Sequence, residues 1–472
     1  MTTLLVLEPH ITGAGGSANG FDPTNTNNSS LYKFNNTTGV YDVVTNTNVN
    51  TLEVGDGYYL LVRGDRTIDL SNNQSPATET IIRTKGVLQK GNYSPGNISD
   101  ADGLNFKLIG NPYQSPVDMT EVLSASQSNN LNFNFYWVWD VKVNERGGFV
   151  AVDLSDGSNN NSVSSANQFL QASQSFFIQT DDPDVDGNIT SLVFSEASKN
   201  VNQLNTGAYG PIVASESVED SKRVNQKNND PNGQSSTPII KKMKIDLLYA
   251  DQSIEDENVL DGTIIKFNDN YTNAIDLTDA AKLFVQDEEI ATTVEGVNLN
   301  IQSRQNPVVD DIIEIDISKQ RNLNYALRID APKFDGLAMV LEDKYTGEQT
   351  LIDQNSHTVY YYTIDNDASA LSDRFEILFQ EITLSTDSDV LASDIQLYPN
   401  PNKGNFNVVL PSSFSGSNVV IYSAMGQNVH ENTLSSKKDQ LEFNLEGSLS
   451  SGIYFLQLEI DSKTIVKKII VN

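Results

Sequence analysis

The chain has no cysteine, two tryptophans and three histidines, and half as many basic residues as acidic ones: 31 Lys and Arg against 62 Asp and Glu. Each shortage removes a kind of chemistry. Without cysteine there is no disulfide, no thiolate zinc site and no cysteine nucleophile. A formal charge of −31 and a pI near 4.3 set the whole chain against nucleic acid and anionic lipid, because both are gripped through Lys and Arg. No apolar run reaches the roughly 18–20 residues of a membrane-spanning helix, so no transmembrane segment is predicted. Residues 1–10 carry an apolar patch at 4–7 but no basic n-region and no long h-region, which is not a signal peptide. For an exported protein, that implies an N-terminus already shortened. His10, His357 and His430 stand far apart, and there is no Gly-x-Ser-x-Gly elbow, no His-Glu-x-x-His and no phosphate loop. The neighbouring carboxylates Asp310 and Asp311 would point to opposite faces of a strand. No catalytic domain is expected, and no cofactor other than a candidate calcium ion.

What the chain has in quantity is the material of turns and short strands. Hydrophobic content is 38%, below the usual share of about 45–50% counted with glycine, and Asn, Ser, Thr, Asp and Gly fill the difference. At 472 residues and roughly 100–200 residues per domain, about three domains are predicted. Residues 1–210 read as a jelly-roll or sandwich-like module. Its strands fall at 30–34, 40–44, 58–62, 80–83, 105–109, 133–143, 148–153, 175–179 and 191–194, with one short helix at 117–124 behind Pro116. Residues 211–237 are too polar to enter a core and read as a linker. Residues 238–384 alternate cleanly, as in Ile313-Glu314-Ile315-Asp316-Ile317 and Tyr325-Ala326-Leu327-Arg328-Ile329, and predict an immunoglobulin-like sandwich with one helical turn at 276–282. A second linker covers 385–393. Residues 394–472 form a last, small β module of six or seven strands. The fold class is therefore all-β: tandem β-sandwich domains, jelly-roll or immunoglobulin-like, closed by a small β-sandwich.

Three motifs stand in fixed order in that last module. The first is Tyr398-Pro399-Asn400-Pro401 with Gly404 and Phe406, a segment whose prolines lack N–H donors and so cannot pair along its length. The second is Val419-Val420-Ile421-Tyr422 with Gly426-Gln427 at a hairpin turn. The third is Gly452-Ile453-Tyr454 followed by Lys467-Lys468-Ile469-Ile470-Val471. In this order the motifs resemble the type A C-terminal sorting domain of cargo exported by the type IX secretion system of the Bacteroidota. The resemblance implies recognition of the folded tail by an outer-membrane translocon and its shuttle protein. It also implies removal of the tail by a surface sorting peptidase, and a secreted or cell-surface destination reached through the periplasm. Its sorting-signal residues are Tyr398, Pro399, Asn400, Pro401, Gly404, Phe406, Gly426, Gly452, Tyr454, Lys467 and Lys468. The segments Val62-Arg63-Gly64-Asp65-Arg66, Leu108-Ile109-Gly110-Asn111-Pro112-Tyr113, Leu260-Asp261-Gly262 and Asp279-Ala280-Ala281-Lys282-Leu283 are similar to modules of large surface proteins and adhesins. That likeness implies a surface repeat protein and names no ligand; the partner expected outside the export machinery is an unknown surface ligand or glycan.

Three further features carry possible binding chemistry. Asp182, Asp184 and Asp186 alternate before Gly187, a spacing that can converge oxygen ligands on calcium; an EF-hand would place Glu where Val193 stands, and an acidic hairpin loop is the other reading. Trp137 and Trp139 share one strand face and are candidate glycan contacts, or else core. Arg63-Gly64-Asp65 matches an integrin-binding tripeptide, or else a simple turn. The function expected is that of an adhesin-like surface protein exported through its tail. The alternatives are the accessory and sorting domains of a hydrolase whose catalytic domain lies upstream, or a carbohydrate-binding module.

Overall fold

The computed structural model describes residues 8–200, 240–381 and 395–472, apart from 25, 70–77, 79, 83–84, 97, 99–105, 126, 182–189, 255–257, 284, 322, 411–417, 434–439 and 461–462. The predicted linkers at 211–237 and 385–393 lie outside the described residues. The chain is all-β and forms two compact units. The first comprises Met1–Lys142, Gly147–Asn159 and Ser164–Gly233; the second comprises Val143–Arg146, Asn160–Val163 and Gln234–Asn472.

In the first unit, β1 (Leu31–Asn35) pairs with β2 (Val40–Val43) through the turn Asn36-Thr37-Thr38-Gly39, and with β3 (Tyr58–Leu60) on its other side. A second sheet follows from β4 (Phe106–Gly110), β6 (Phe135–Asp140), β7 (Gly148–Asp153), β8 (Ser158–Asn159) and β10 (Ser175–Gln179), in the order β4-β10-β6-β7-β8. A small ladder joins β5 (Val117–Asp118) to β9 (Phe169–Leu170). The helix predicted at 117–124 is shorter, Met119–Leu123 (α1), with Asp118 as its N-cap, so Pro116 stands two residues ahead of the cap and not in the first turn. The Asp118 carboxylate accepts the Thr120 N–H at 3.0 Å, satisfying a donor that the first helical turn leaves free. Residues 80–82 form no strand, and 191–194 contributes only isolated bridges from Ser191 and Phe194. Phe135, Tyr136, Trp137 and Phe176 are completely buried here.

The main body of the second unit is built from β11 (Lys241–Tyr249), β12 (Val259–Phe267), β13 (Ala280–Ala281), β14 (Glu289–Val294), β15 (Val297–Arg304), β16 (Ile312–Ser318), β17 (Asn324–Asp330), β18 (Leu337–Asp343), β19 (Glu348–Ile352), β20 (Thr358–Thr363) and β21 (Phe375–Glu381). Ten of them run in the order β19-β18-β21-β16-β14-β15-β12-β11-β17-β20, and β13 attaches to β15. That is more strands than the roughly seven to nine of an immunoglobulin domain, and β12 lies parallel to β15. The core of Ile245, Leu247, Ile265, Phe267, Ile315, Tyr325, Leu327, Tyr362, Ile377 and Phe379 follows the alternation of the sequence. Where a helical turn was expected at 276–282, Asp276 and Asp279 instead close a turn. Asp276 accepts from the Thr278 N–H at 2.7 Å and Asp279 from the Asp276 N–H at 2.9 Å, and β13 follows directly. Short polar side chains that bond nearby N–H groups favour such turns over helix.

The last seven strands make two sheets. β22 (Gln396–Tyr398), β23 (Asn405–Val409) and β26 (Gln440–Asn444) form one, in the order β22-β23-β26. β24 (Asn418–Ser423), β25 (Asn428–Thr433), β27 (Gly452–Ile460) and β28 (Lys463–Val471) form the other, in the order β25-β24-β27-β28. They enclose a core of their own, with Ile395, Phe406, Val408, Val419, Ile421, Leu456, Leu458, Ile465 and Ile469 at its centre.

Candidate functional site

The first and third tail motifs meet in space. Neither Pro399 nor Pro401 has an N–H, so the main chain of the Pro-Asn-Pro segment cannot ladder along β28. Asparagine side chains replace it. The Asn400 amide donates from Nδ2 to the Lys468 carbonyl at 3.0 Å and accepts at Oδ1 from the Ile470 N–H at 2.8 Å. Asn402 continues the pairing with its main chain: its N–H donates to the Ile470 carbonyl at 2.9 Å and its carbonyl accepts from the Asn472 N–H at 2.8 Å. The Asn402 side chain holds the motif's own shape, donating to the Pro399 carbonyl at 3.2 Å and accepting from the Gly404 N–H at 2.7 Å. Both Asn400 and Asn402 are buried, and the Tyr398–Pro399 and Asn400–Pro401 peptides are cis. A side-chain amide has one donor end and one acceptor end, which is what an unpaired stretch of strand edge requires. The terminal Lys-Lys-Ile-Ile-Val strand is thereby fixed on both sides, by β27 and by the motif about 70 residues earlier.

The remaining motif residues set the frame. Gly404 has φ +95, and a Cβ there would lie 2.7 Å from the Leu445 carbonyl oxygen, which is itself next to the Leu445 N–H that donates to the Gly404 carbonyl. Only glycine fits this approach. Phe406 stacks on Phe443 with centroids 4.9 Å apart. Gly426 takes φ +78 at the tip between β24 and β25. Gly452 opens β27 opposite Val471, and the Tyr454 hydroxyl donates to the Ser450 carbonyl at 2.9 Å. Lys467 and Lys468 leave β28 on opposite faces; Lys468 is exposed and Lys467 half-buried. The motif residues are thus brought into one small domain, but as a framework rather than a pocket. Asn402 is the contributor that sequence reading left without a role. Its signal was the second asparagine of Asn400-Pro401-Asn402, at the first position after the prolines where a main-chain N–H returns.

The other candidates fall differently. Asp182, Asp184 and Asp186 lie outside the described residues, and among the described residues no group of three or more His, Asp or Glu could hold a metal ion. Trp137 is completely buried against Phe106 (5.0 Å between centroids) and presents no ring face to solvent. Trp139 is half-buried between Tyr59 and Phe149, with Gly147 lying against its indole. Asp65 of the Arg-Gly-Asp tripeptide is buried. Its carboxylate accepts from the Thr67 N–H and hydroxyl and from the Thr78 hydroxyl, bonds that hold it below the usual carboxylate range. In the second unit a cavity of about 250 Å³ is lined by Glu145, Arg146, Asp287, Glu288, Lys319 and Arg321. Its charges neutralise each other, through Arg146 with Asp287 and Arg321 with Glu288 and Glu145.

Comparison with known proteins places names on these parts. Residues 396–472 match the family model described as the Secretion system C-terminal sorting domain, so the tail is a type IX sorting domain. No curated protein matches the chain. Among solved structures, PorZ, an essential surface component of the type IX secretion system of Porphyromonas gingivalis, is 13% identical with a TM-score of 0.16, over 35% of this chain and 22% of its own. Dimeric latent PorU from the same organism is 11% identical with a TM-score of 0.16, over 50% of this chain and 30% of its own. The BSP domain of a biofilm associated protein is 8% identical with a TM-score of 0.13, over 83% and 84%. The chain spans less than a third of either Porphyromonas gingivalis protein, and likenesses of this size carry no argument about fold. A second family model runs over residues 16–379, crossing both the first module and the sandwich. The chain belongs to the family described as Domain of unknown function (DUF8693), here followed by a sorting domain.

Proposed function

We propose that this is a secreted or surface-displayed adhesin-like protein, in which DUF8693 is the non-catalytic binding portion and the tail is the export address. The single observation that supports the export half is the sorting domain at residues 396–472, whose motif residues join the first and last segments of one folded module. The adhesin half rests on the construction of the rest: strand-built modules with large cores, an acid-rich surface, and charges that pair with each other rather than converging on a reacting atom. On this reading the tail contacts the outer-membrane translocon and its shuttle, a surface peptidase removes it, and the modules ahead of it meet a neutral or cationic surface ligand. A fluorescent reporter carrying residues 382–472 at its C-terminus, expressed with a signal peptide in a type IX-competent cell, is expected in the medium or on the surface. Retention of that reporter in the periplasm refutes the export half. For the other half, the purified chain is expected to coat host or neighbour cells and to show no turnover of peptide or glycan libraries; turnover would refute it.

A further inference from the structure

Among the described residues the eleven-stranded sheet has two open ends, β19 and β20, and open strand edges are a liability that proteins cover or charge. The sorting domain touches both. At β20 the ring of Tyr361 stacks on the ring of Tyr398, with centroids 3.9 Å apart and planes at 14°. The Tyr361 main-chain N–H, which points away from β17, donates to the side-chain oxygen of Gln396 at 3.1 Å. Just past β20, the Asp365 carboxylate accepts from the side chain of the last residue, Asn472, at 3.1 Å. At β19, Glu348 pairs with Lys467 at 3.0 Å. Tyr398 is 5% exposed and Gln396 7%. Burial, and then the neighbouring Tyr361, push the Tyr398 hydroxyl up to about 12.

The geometry points to a gate: the sandwich is a docking platform for its own sorting domain, and it competes with the export machinery for Tyr398 and Lys467. Two residues of the first and third sorting motifs are held by side chains outside residues 396–472, namely Tyr361 and Glu348. Lys468, the neighbour of Lys467, points the other way and stays open. The docked tail therefore presents one face, and its Tyr398 face becomes available only as often as the platform releases it. When only a fraction of a protein is competent to bind, its apparent affinity falls by that fraction. Tyr361, Glu348 and Asp365 act here as positioning residues. This inference rests on the export reading for its consequence, but the docking itself does not.

The experiment separates the two. The full chain is treated briefly with an acetylating reagent, and the modification of Lys467 is compared with that of Lys468 by peptide mass spectrometry. Lys467 is expected to react more slowly than Lys468, and in Tyr361→Ala the ratio is expected to rise by about tenfold, the change that follows if the lost contacts make release about tenfold more frequent. Equal reactivity of the two lysines in the parent chain overturns the docking. Glu348→Lys is expected to raise the same ratio and to speed exchange of the Tyr361 amide, and adding Lys467→Glu, which restores opposite charges at the pair, to slow that exchange again; failure of that rescue also counts against the platform. In type IX-competent cells Tyr361→Ala is expected to leave the cell faster than the parent, and an unchanged rate overturns the gate. Normal secretion of a chain lacking 396–472 would overturn the export reading and the gate together, while the lysine ratio would still report the docking.

Discussion

Replacing Asn400 with alanine isolates the bond between the first and last sorting motifs. In an antiparallel pair, main-chain groups point alternately toward and away from the partner strand. The Ile470 N–H and the Lys468 carbonyl point away from β27, and the Asn400 side chain is their partner at 2.8 and 3.0 Å. Alanine removes donor and acceptor together. Leaving a buried group unpaired costs about 1–3 kcal/mol. The carbonyl of exposed Lys468 regains water more easily than the half-buried Ile470 N–H, so the sum is set nearer one full loss, about 2–3 kcal/mol. A core of this size rarely supplies more than about 3–5 kcal/mol, so the substitution removes a large share of the tail's stability. With about 4–8 °C for each kcal/mol in a domain this small, the tail's melting transition should fall by roughly 10–20 °C. Two assays apply to the full chain: calorimetry, and amide exchange read at Ile470. Asn400→Asp should fall between, because a carboxylate still accepts from Ile470 but cannot donate to the Lys468 carbonyl. An Ile470 amide exchanging as slowly in Asn400→Ala as in the parent would show that the motif does not hold the last strand, and the reasoning would fail.

Three other outcomes follow from the same structure. Gly404→Ala must place a Cβ 2.7 Å from the Leu445 carbonyl oxygen at φ +95; strain of about 1–3 kcal/mol plus that clash should lower the tail transition at least as far as Asn400→Ala, and a neutral melt would refute the close approach. Arg374→Met leaves the buried Asp343 carboxylate without the bonds from Nε (2.9 Å) and Nη2 (2.6 Å); breaking a buried pair costs about 3–5 kcal/mol, to be read as a lower denaturant midpoint for the sandwich. Asp279 is pushed up to about 6, first by burial and then against the bonds it accepts from Ser303 and Asp276. A raised folded-state value means the protonated form is favoured in the fold, so this contribution is complete below about pH 4 and is lost as pH rises through 6, worth about 3 kcal/mol at about 1.4 per unit. Asp279→Asn should flatten the stability of the sandwich between pH 4 and 6, and an unchanged slope would refute the assignment.

Strands with one wet and one dry face announced themselves. Ile313, Ile315 and Ile317 are buried in turn along β16, with Glu314 exposed among them, because a period of two is the direct imprint of the pleat; β17 has the same period in sequence but is buried on both faces, Ala326 and Arg328 as well as Tyr325, Leu327 and Ile329. What escaped were strands without that imprint. β14 (Glu-Ile-Ala-Thr-Thr-Val) buries three consecutive residues, Ile290, Ala291 and Thr292, on both faces, and β19 is a short edge rich in Glu, Gln and Thr. Nothing in composition separates such a stretch from a polar loop. The parallel contact between β12 and β15 was equally hidden, since pairing direction is decided by chain path and not by residues.

The sorting motifs were legible for a different reason. A Pro-Asn-Pro run forbids regular pairing on its own, so it signals that an irregular solution is built there; the asparagine between the prolines is the residue able to supply both ends of a missing ladder rung. The sequence could not say which strand receives that rung, because the receiver, β28, lies at the other end of the domain and bonds through its main chain, which carries no side-chain signature. The same holds for the platform. Tyr361, Glu348 and Asp365 look in sequence like any strand-edge tyrosine and surface acids. Their role appears only when the two end strands of the sheet are seen to touch the same small domain. An export address written in main-chain contacts can therefore be recognised by its punctuation, while the partners that hold it must be found by their position.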